Sequence, residues 1–203
     1  MIKIAVLVSG GGTNLQALID AQEKSCLEGA EISLVISSVK NAYALERAKK
    51  AGIKAVTIER KMYKDHNDFD SVIAQTLCEN KIDLVVLAGF LSILGQKTIE
   101  LFPDKIINVH PALIPSFCGK GFYGLHVHKA VLEKGVKVTG ATVHFVNNIV
   151  DGGKILLQKA IDVLPGDTPE SLKERVMREC EWVLLPKAVA MICRELNMEK
   201  TTD

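Results

Sequence analysis

The sequence lacks an excess of charge of either sign. Lysine and arginine together number 25, aspartate and glutamate number 24, and the formal net charge is +1. This balance provides no overall field that would attract nucleic acid or an anionic membrane surface, although it still permits a local anion site. We therefore expect small-molecule substrates, with no nucleic acid and no membrane among the partners.

The sequence also lacks paired cysteines, long apolar runs and low-complexity tracts. Its five cysteines are scattered and include no CxxC pair, which predicts reduced thiols in a cytoplasmic protein. Glycines interrupt the apolar N-terminal run well short of a membrane span and no cleavage site follows, so neither a signal peptide nor a transmembrane helix is expected. Without repeats or linkers, we expect a single domain over residues 1–203.

Apolar, β-branched runs alternate with helical patterns through the first half of the chain. Strands are predicted at 2–8, 31–37, 54–58, 81–89 and 105–111, and helices from about 14 and at 42–52, 67–79 and 95–101. Strands that are apolar on both faces are typical of a parallel sheet covered by helices on both sides. The predicted fold class is therefore α/β, with a doubly wound, mostly parallel, Rossmann-like sheet.

The second half of the chain changes character. A loop rich in glycine, proline and aromatic residues (112–124) follows the fifth strand, and loops of that length are usually functional. A helix at 127–134 comes next, and runs at 139–146 and 154–163 predict an antiparallel hairpin that extends the sheet. A Thr168 cap, Pro169 and an acidic first turn predict a long C-terminal helix that ends near Asn197.

The stretch VSGGGTNLQ (8–16) forms a glycine-rich turn between the first strand and the first helix. Gly10 and Gly12 fit a dinucleotide fingerprint, but Leu15 occupies the position of its third glycine, and no lysine is present for a triphosphate loop. One interpretation is a cradle for a single phosphate, formed by N–H groups and the Thr13 hydroxyl at a positive helix end. The other is a tight turn capped by Thr13 or Asn14. This stretch alone leaves both open.

Three polar residues of the second half lie where chemistry is expected in such a sheet. Asn108 and His110 are two apart at the end of a buried strand, which puts them on one face at the carboxyl edge, where ligands bind. Asp151 lies in the predicted hairpin turn and meets them only if the hairpin folds back over the strand ends. Each residue also has a structural interpretation: Asn108 as a strand-end cap, His110 as a hydrogen-bonding core residue and Asp151 as a tight-turn residue. The residues alone do not decide between the catalytic and the structural interpretations.

Other polar residues give weaker signals. His126 and His128 are two apart with Cys118 nearby, but no carboxylate or second cysteine completes a ligand set, so no metal site is expected. His144 alternates with apolar neighbours and can face either the core or the cleft. The charged cluster at 175–181 is most simply a solvated helix face.

Several longer segments together resemble one enzyme family. They are SGGGTNLQALID (9–20), DLVVLAGFLSIL (83–94), INVHPALIPSF (107–117), GLHVHKAVLEKGVKVTGATVHFV (124–146) and DGGKILLQ (151–158). In this order they are similar to the phosphoribosylglycinamide formyltransferases, folate-dependent enzymes of purine biosynthesis, from about residue 2 to about residue 186. The resemblance implies the Rossmann-like formyltransferase fold, with 10-formyltetrahydrofolate as co-substrate and no metal.

The resemblance also assigns residues to two substrates. It implies a phosphate and nucleotide side in the N-terminal half (1–100) and a folate and catalytic side in the C-terminal half (101–190). The residues expected at glycinamide ribonucleotide are Gly12, Thr13 and Asn14 at its phosphate, Arg178 near that phosphate, and Glu181. The residues expected at the folate are Leu91, Ser92, Ile93, Leu94, Asn147, Asn148, Ile149, Val150 and His66, the last in place of an arginine common in relatives.

The catalytic trio implied by the resemblance is Asn108, His110 and Asp151. The glycinamide amine would attack the formyl carbon, and the Asn108 amide and a His110 imidazolium would stabilise the oxyanion that develops. Asp151 would favour the charged imidazole and pass a proton, directly or through water, from the amine to the departing folate nitrogen.

Three other classes of protein share part of this pattern. A formyltetrahydrofolate deformylase uses the same trio with water as nucleophile, but normally carries an N-terminal regulatory domain, whereas the first strand here begins at residue 2. A methionyl-transfer-RNA formyltransferase would need an additional C-terminal domain and a basic face. A binding module without activity would keep the glycine loop but would not require the trio. We expect the transferase, as a monomer or homodimer, with the deformylase as the alternative.

Overall fold

The computed structural model describes residues 1–202, and side chains up to residue 200. A seven-stranded sheet with the order β3-β2-β1-β4-β5-β6-β7 forms its centre. The strands are β1 (Lys3–Val8), β2 (Glu31–Ser37), β3 (Ala55–Thr57), β4 (Leu84–Leu87), β5 (Ile106–His110), β6 (Val138–Phe145) and β7 (Ile155–Asp162). The first five strands are parallel, and β6 and β7 are antiparallel. The predicted α/β class and the antiparallel hairpin are confirmed.

Helices cover both faces of this sheet. They are α1 (Thr13–Glu23), α2 (Tyr43–Lys50), α3 (His66–Glu79), α4 (Gln96–Leu101), α5 (Leu125–Lys134), α6 (Pro169–Val176) and α7 (Trp182–Thr202), with a 3₁₀ turn at Arg60–Met62 and a π turn at Met177–Glu181. Alternate residues of β1 show the two layers: Ile4 and Val6 pack with α1 and α7, whereas Ala5 and Leu7 pack with α3. Because each strand is apolar on both faces, it can be buried only between two helical layers.

The C-terminal helix differs most from its prediction. Thr168 caps α6 in a capping box with Ser171 and Pro169 follows it, as predicted. The helical path is not regular, however, because the π turn separates α6 from α7, and it continues to Thr202 rather than ending near Asn197. π turns add a residue to a helix without breaking it, so periodicity in the sequence does not reveal them.

The predicted strand at 81–89 is also shorter than expected. Only Leu84–Leu87 pair in the sheet, and the next residues leave it as an irregular segment before α4.

The helices of the described residues include none with the length and apolar character that a membrane span requires.

Candidate active site

Three chain segments meet at the carboxyl edge of the parallel strands. The strand order reverses between β1 and β4, where the chain leaves β1 through the glycine loop (9–12) and β4 through the irregular segment 88–95. β5 lies beside β4 and ends at His110. Open α/β sheets bind ligands at such a reversal of strand order.

Helix α2 holds the glycine loop from one side. The Ala44 N–H donates to the Gly10 carbonyl (3.1 Å), and Arg47 Nε donates to the Gly11 carbonyl (2.8 Å). Gly12 has a φ of 69°, and a Cβ there would lie 2.6 Å from Ala44 Cβ. Position 12 therefore requires glycine for both its backbone conformation and its contact with α2.

The start of α1 lies against the π turn. The N–H groups of Thr13 and Asn14 donate to no other residue in the described part of the chain, as is usual at the first turn of a helix. Asn14 Nδ2 donates to Glu181 Oε2 at 2.7 Å, and Thr13 Oγ1 lies 3.6 Å from Met177 Sδ. The structure thus brings Glu181 to the glycine loop, while Arg178 of the same turn is exposed.

Glu181 is not a solvated residue, so that interpretation of the 175–181 cluster is wrong for it. Its side chain is 6% exposed, and burial raises the pKa of its carboxyl, with the hydrogen bond from Asn14 opposing the shift. The reason is the π turn, which directs this position inward between α1 and the sheet. A carboxyl held there can exchange hydrogen bonds with a polar ligand next to the start of α1, and its protonated form can also donate.

The segment 91–94 exposes its backbone after β4. No described residue forms a hydrogen bond with the backbone groups of Ser92, Ile93 or Leu94. The side chains of Leu91 and Ile93 are 64% and 62% exposed, although exposed residues of that size are normally scattered singly. This combination suits a flat ligand with polar edges.

His66, at the start of α3, faces the same segment. A surface cavity of about 590 Å³ is lined by Arg60, His66, Leu91, Ser92 and Ile93. Arg60 was not identified from the sequence. The resemblance leads one to expect an arginine at the position of His66. Arg60 supplies a guanidinium next to that position, from the 3₁₀ turn that precedes α3.

The hairpin turn presents the other expected folate residues. Asn147 Oδ1 accepts from the Ile149 N–H at 2.9 Å, which makes a compact turn before Asp151. The side chains of Ile149 and Val150 are exposed, as is Asn148. Asp151 has a φ of 55°, a left-handed conformation that aspartate tolerates better than most residues.

The hairpin folds back so that Asp151 meets the end of β5. Asp151 Oδ2 lies 3.6 Å from His110 Nδ1, and Asp151 Oδ1 lies 3.5 Å from His144 Nε2. Asn108 Nδ2 lies 3.2 Å from the same nitrogen of His144. The structure therefore brings the three candidate catalytic residues together, with His144 between Asn108 and Asp151.

His144 is the residue of this group that the sequence left undecided. It stands directly opposite Asn108 in the antiparallel pairing of β5 with β6, and directly opposed residues have their side chains on the same face. The Phe145 carbonyl accepts from His144 Nδ1 at 2.8 Å, which places a proton on Nδ1. In its neutral form, His144 Nε2 accepts from the Asn108 amide, and in its charged form it donates to Asp151.

The long loop between β5 and α5 contacts two members of the trio through its backbone. The Phe117 carbonyl accepts from His110 Nε2, and the Gly119 N–H donates to Asp151 Oδ2, both at 2.8 Å. A carbonyl can only accept, so His110 carries a proton on Nε2. The remaining nitrogen, Nδ1, faces Asp151.

Burial and nearby charges act in opposite directions on the protonation of the trio. Burial lowers the pKa of His110 and outweighs the opposing effects of Asp151 and the Phe117 carbonyl. Burial raises the pKa of Asp151, but hydrogen bonds from His144 and Gly119 and the nearby histidines bring it below its usual value. Asp151 is therefore a carboxylate and His110 favours the neutral form, although Asp151 favours the charged imidazole, as the resemblance implies.

Comparison with known proteins identifies the family. The formyl transferase family model matches residues 2–189. The chain belongs to this family. Its structure is similar to the crystal structure of glycinamide ribonucleotide transformylase 1 from Symbiobacterium toebii, with a TM-score of 0.90 and 40% identity over 96% of this chain and 89% of that one.

Curated relatives include proteins of two architectures. The phosphoribosylglycinamide formyltransferase of Haemophilus influenzae is 41% identical over 189 residues, which are 93% of this chain and 86% of that protein. The trifunctional purine biosynthetic protein adenosine-3 of Gallus gallus is 44% identical over 94% of this chain, which spans 18% of that protein's length. Among the residues that the structure describes, no group of three or more His, Cys, Asp or Glu side chains could hold a metal ion.

Proposed function

We propose that this formyltransferase transfers the formyl group of 10-formyltetrahydrofolate to the amine of glycinamide ribonucleotide, a step of purine biosynthesis. The observation that carries the proposal is the position of Asn108, His110 and Asp151, which converge at the strand edge that also bears the glycine loop and segment 91–94. The relatives from Haemophilus influenzae and Symbiobacterium toebii bear names of this activity. Together these observations favour a formyl transfer between two bound substrates.

The ribonucleotide would bind at the glycine loop. The unpaired N–H groups at the start of α1 and the Thr13 hydroxyl provide donors for one phosphate at a positive helix end. Arg178, exposed on the adjacent π turn, would add a cation beside that phosphate. Glu181, held by Asn14 at 2.7 Å, would bind a polar group of the same substrate.

The folate would bind between segment 91–94 and the hairpin turn 147–150. The unpaired backbone groups of Ser92, Ile93 and Leu94 offer both donors and acceptors for the edge of a heterocycle. The exposed Leu91 and Ile149 side chains would cover its faces. Its formyl group would then lie near the trio.

The trio accounts for the chemistry of the transfer. When the amine attacks the formyl carbon, the oxygen becomes negative, and the Asn108 amide N–H can stabilise it. The amine must also lose a proton. His110 Nδ1 carries a lone pair, and it lies 3.6 Å from Asp151 Oδ2, too far for a direct hydrogen bond. This nitrogen can therefore take the proton of the amine, next to an anionic carboxylate. The resulting imidazolium would stabilise the oxyanion and then donate to the departing folate nitrogen.

A simple assay distinguishes the transferase from the deformylase. The protein is incubated with 10-formyltetrahydrofolate, with and without glycinamide ribonucleotide, while the release of tetrahydrofolate is measured. We expect release to depend on the ribonucleotide, with formylated ribonucleotide formed in equal amount. Equally fast release without the ribonucleotide would instead identify water as the nucleophile and a deformylase.

We also propose that the enzyme acts in the cytoplasm, as a monomer or homodimer. The cysteines are free thiols, as is usual in a reducing compartment. One relative, from Arabidopsis thaliana, is named as chloroplastic, so fractionation of the source cells is the direct test of location. Gel filtration with light scattering tests the number of subunits.

A further inference from the structure

We propose that Asp70 is a positioning residue for the folate site, because it fixes the end of segment 91–94. The inference rests on the proposed folate position. Asp70 lies in the second turn of α3 and is 1% exposed, although buried aspartates are rare unless they are paired or hydrogen-bonded. No cation pairs with it among the described residues, and the trio does not contact it. Its partners all belong to the chain that follows β4.

The Asp70 carboxylate binds the start of α4 from the neighbouring helix. Oδ1 accepts from the Gly95 N–H at 2.8 Å and from the Thr98 hydroxyl at 2.5 Å, and Oδ2 accepts from the Thr98 N–H at 3.1 Å. Gly95, the residue before α4, has no side chain with which to cap the helix. Asp70 therefore serves as a cap supplied from α3.

Gly95 makes this approach sterically feasible. A Cβ at position 95 would lie 2.5 Å from Asp70 Cγ and 2.6 Å from Asp70 Oδ2. The φ of Gly95 is −89°, which any residue can adopt, so glycine is required for space rather than for conformation. The pair is thus a specific contact between α3 and the residue that directly follows Leu94.

A second hydrogen bond holds the other end of the segment. The Leu91 N–H donates to Ser9 Oγ at 2.8 Å, and this hydroxyl also lies 2.6 Å from Ser38 Oγ. Ser9 follows β1 directly and begins the glycine loop. Segment 91–94 is therefore fixed at its start by Ser9 and at its end by Asp70, while the backbone groups between them remain unpaired.

This arrangement has a consequence for binding. A segment that recognises its ligand through backbone groups gains affinity only if those groups are already in place, since ordering them on binding costs conformational entropy. Loss of the Asp70 contacts would leave the trio and the ribonucleotide site intact but would loosen the folate segment. The expected signature is a selective effect on the folate.

The test compares Asp70→Ala and Asp70→Asn with Asp83→Asn. Asp83 is a matched control, because its carboxylate also accepts a backbone N–H, that of Lys3 at 2.8 Å, but near the start of β1 and β4, at the end of these strands away from segment 91–94. We expect Asp70→Ala to raise the KM for 10-formyltetrahydrofolate by about tenfold or more, with a smaller rise for Asp70→Asn, which keeps one acceptor oxygen. The KM for glycinamide ribonucleotide should change by less than about twofold, and Asp83→Asn should leave both values unchanged.

Direct titration with tetrahydrofolate separates this inference from the proposed function. If the wild-type protein binds tetrahydrofolate but transfers no formyl group to the ribonucleotide, the proposed reaction is wrong and the Asp70 comparison is still decided by the titration. Should Asp70→Ala fail to fold in thermal denaturation, Thr98→Val takes its place, because it removes the hydroxyl that donates to the Asp70 carboxylate. The inference is overturned if folded variants bind tetrahydrofolate like the wild type, or if the KM values for both substrates rise equally.

Discussion

At the scale of single residues, the two nitrogens of His110 have different partners and therefore different roles. Nε2 is committed to the Phe117 carbonyl at 2.8 Å, whereas Nδ1 faces the Asp151 carboxylate across 3.6 Å. Only Nδ1 can exchange a proton with a substrate. A backbone carbonyl thus decides which nitrogen of the catalytic candidate is free, which is a common way of fixing a histidine tautomer.

Asp151→Asn tests the role of the carboxylate. The amide keeps the shape of the side chain but cannot stabilise a protonated His110, so we expect turnover to fall about a hundredfold or more. The affinity for tetrahydrofolate should be largely unchanged, as measured by titration. Asp104→Asn is a suitable control, since Asp104 also adopts a left-handed conformation, with a φ of 54°, but is exposed elsewhere. Near-normal turnover in Asp151→Asn would leave Asp151 with only a structural role in the turn.

Thr13→Asp tests the phosphate position. A carboxylate at the first residue of α1 would repel a phosphate on the same helix end, so the KM for glycinamide ribonucleotide should rise by about tenfold or more. Thr13→Ser keeps the hydroxyl and should behave like the wild type in the same steady-state assay. If the KM for the folate rises instead, the two substrates have been placed at the wrong loops.

At the scale of secondary-structure elements, the β6–β7 hairpin and the π turn each bring one acidic residue to the site. Asp151 reaches β5 only because the hairpin folds back over the strand ends, and Glu181 reaches Asn14 only because the π turn directs it inward. The positions of both acidic residues depend on the path of an element rather than on a local motif. Changes that shift either element should therefore affect activity without altering a catalytic side chain.

Gly153→Ala tests this for the hairpin. A Cβ at position 153 would collide with the Phe145 carbonyl oxygen at the base of the hairpin, so the turn must shift and Asp151 with it. We expect a loss of about 1–3 kcal/mol in the free energy of unfolding, measured by urea denaturation, together with a lower kcat. Gly135→Ala meets nothing within 4 Å but has a φ of 71°, so it should lose some stability while keeping its kcat. Equal kcat values in the two variants would contradict this view of the hairpin.

At the scale of the whole molecule, burial of a histidine on α5 makes the folded state sensitive to acid. His128, on α5, is 1% exposed, and its Nδ1 has no partner among the described residues. Burial lowers the pKa of His128 to about 4, and the nearby Lys173 acts in the same direction. An unfolded histidine has a pKa near about 6.5, so the unfolded state takes up a proton first as the pH falls.

The resulting prediction concerns stability against pH. The contribution of neutral His128 is fully present above about pH 6.5, decreases as the pH falls toward about 4, and amounts to at most roughly 3 kcal/mol. Denaturation in urea at several pH values should show this slope, and His128→Gln should flatten it. His126→Gln, which changes the exposed histidine of the same helix, should retain the wild-type slope. An unchanged slope in His128→Gln would assign the acid sensitivity to other groups.

The sequence by itself determined the α/β class, the glycine turn and the placement of Asn108 and His110 at a strand end. These features are local, because they depend on the hydrophobic period of each strand and on residues that are near one another in the chain. The resemblance then joined Asp151 to these two residues and implied the substrates, neither of which the spacing alone could do. Thr168 and Pro169 likewise predicted the start of α6, since a helix cap depends on residues that are adjacent in the chain.

Only the tertiary structure decided which distant groups complete the site. His144 joins it because β6 pairs with β5 and places this residue opposite Asn108. The backbone groups of Phe117 and Gly119 reach it through the fold of the long loop. Asp70 contacts it because α3 packs on α4. The net pKa of His110 depends on how deeply the sheet and loop bury it. The resemblance therefore implied the direction in which Asp151 shifts this pKa, but not that burial outweighs it. Long-range pairing and burial arise only when the whole sheet is assembled, which is why periodicity in the sequence could not reveal them.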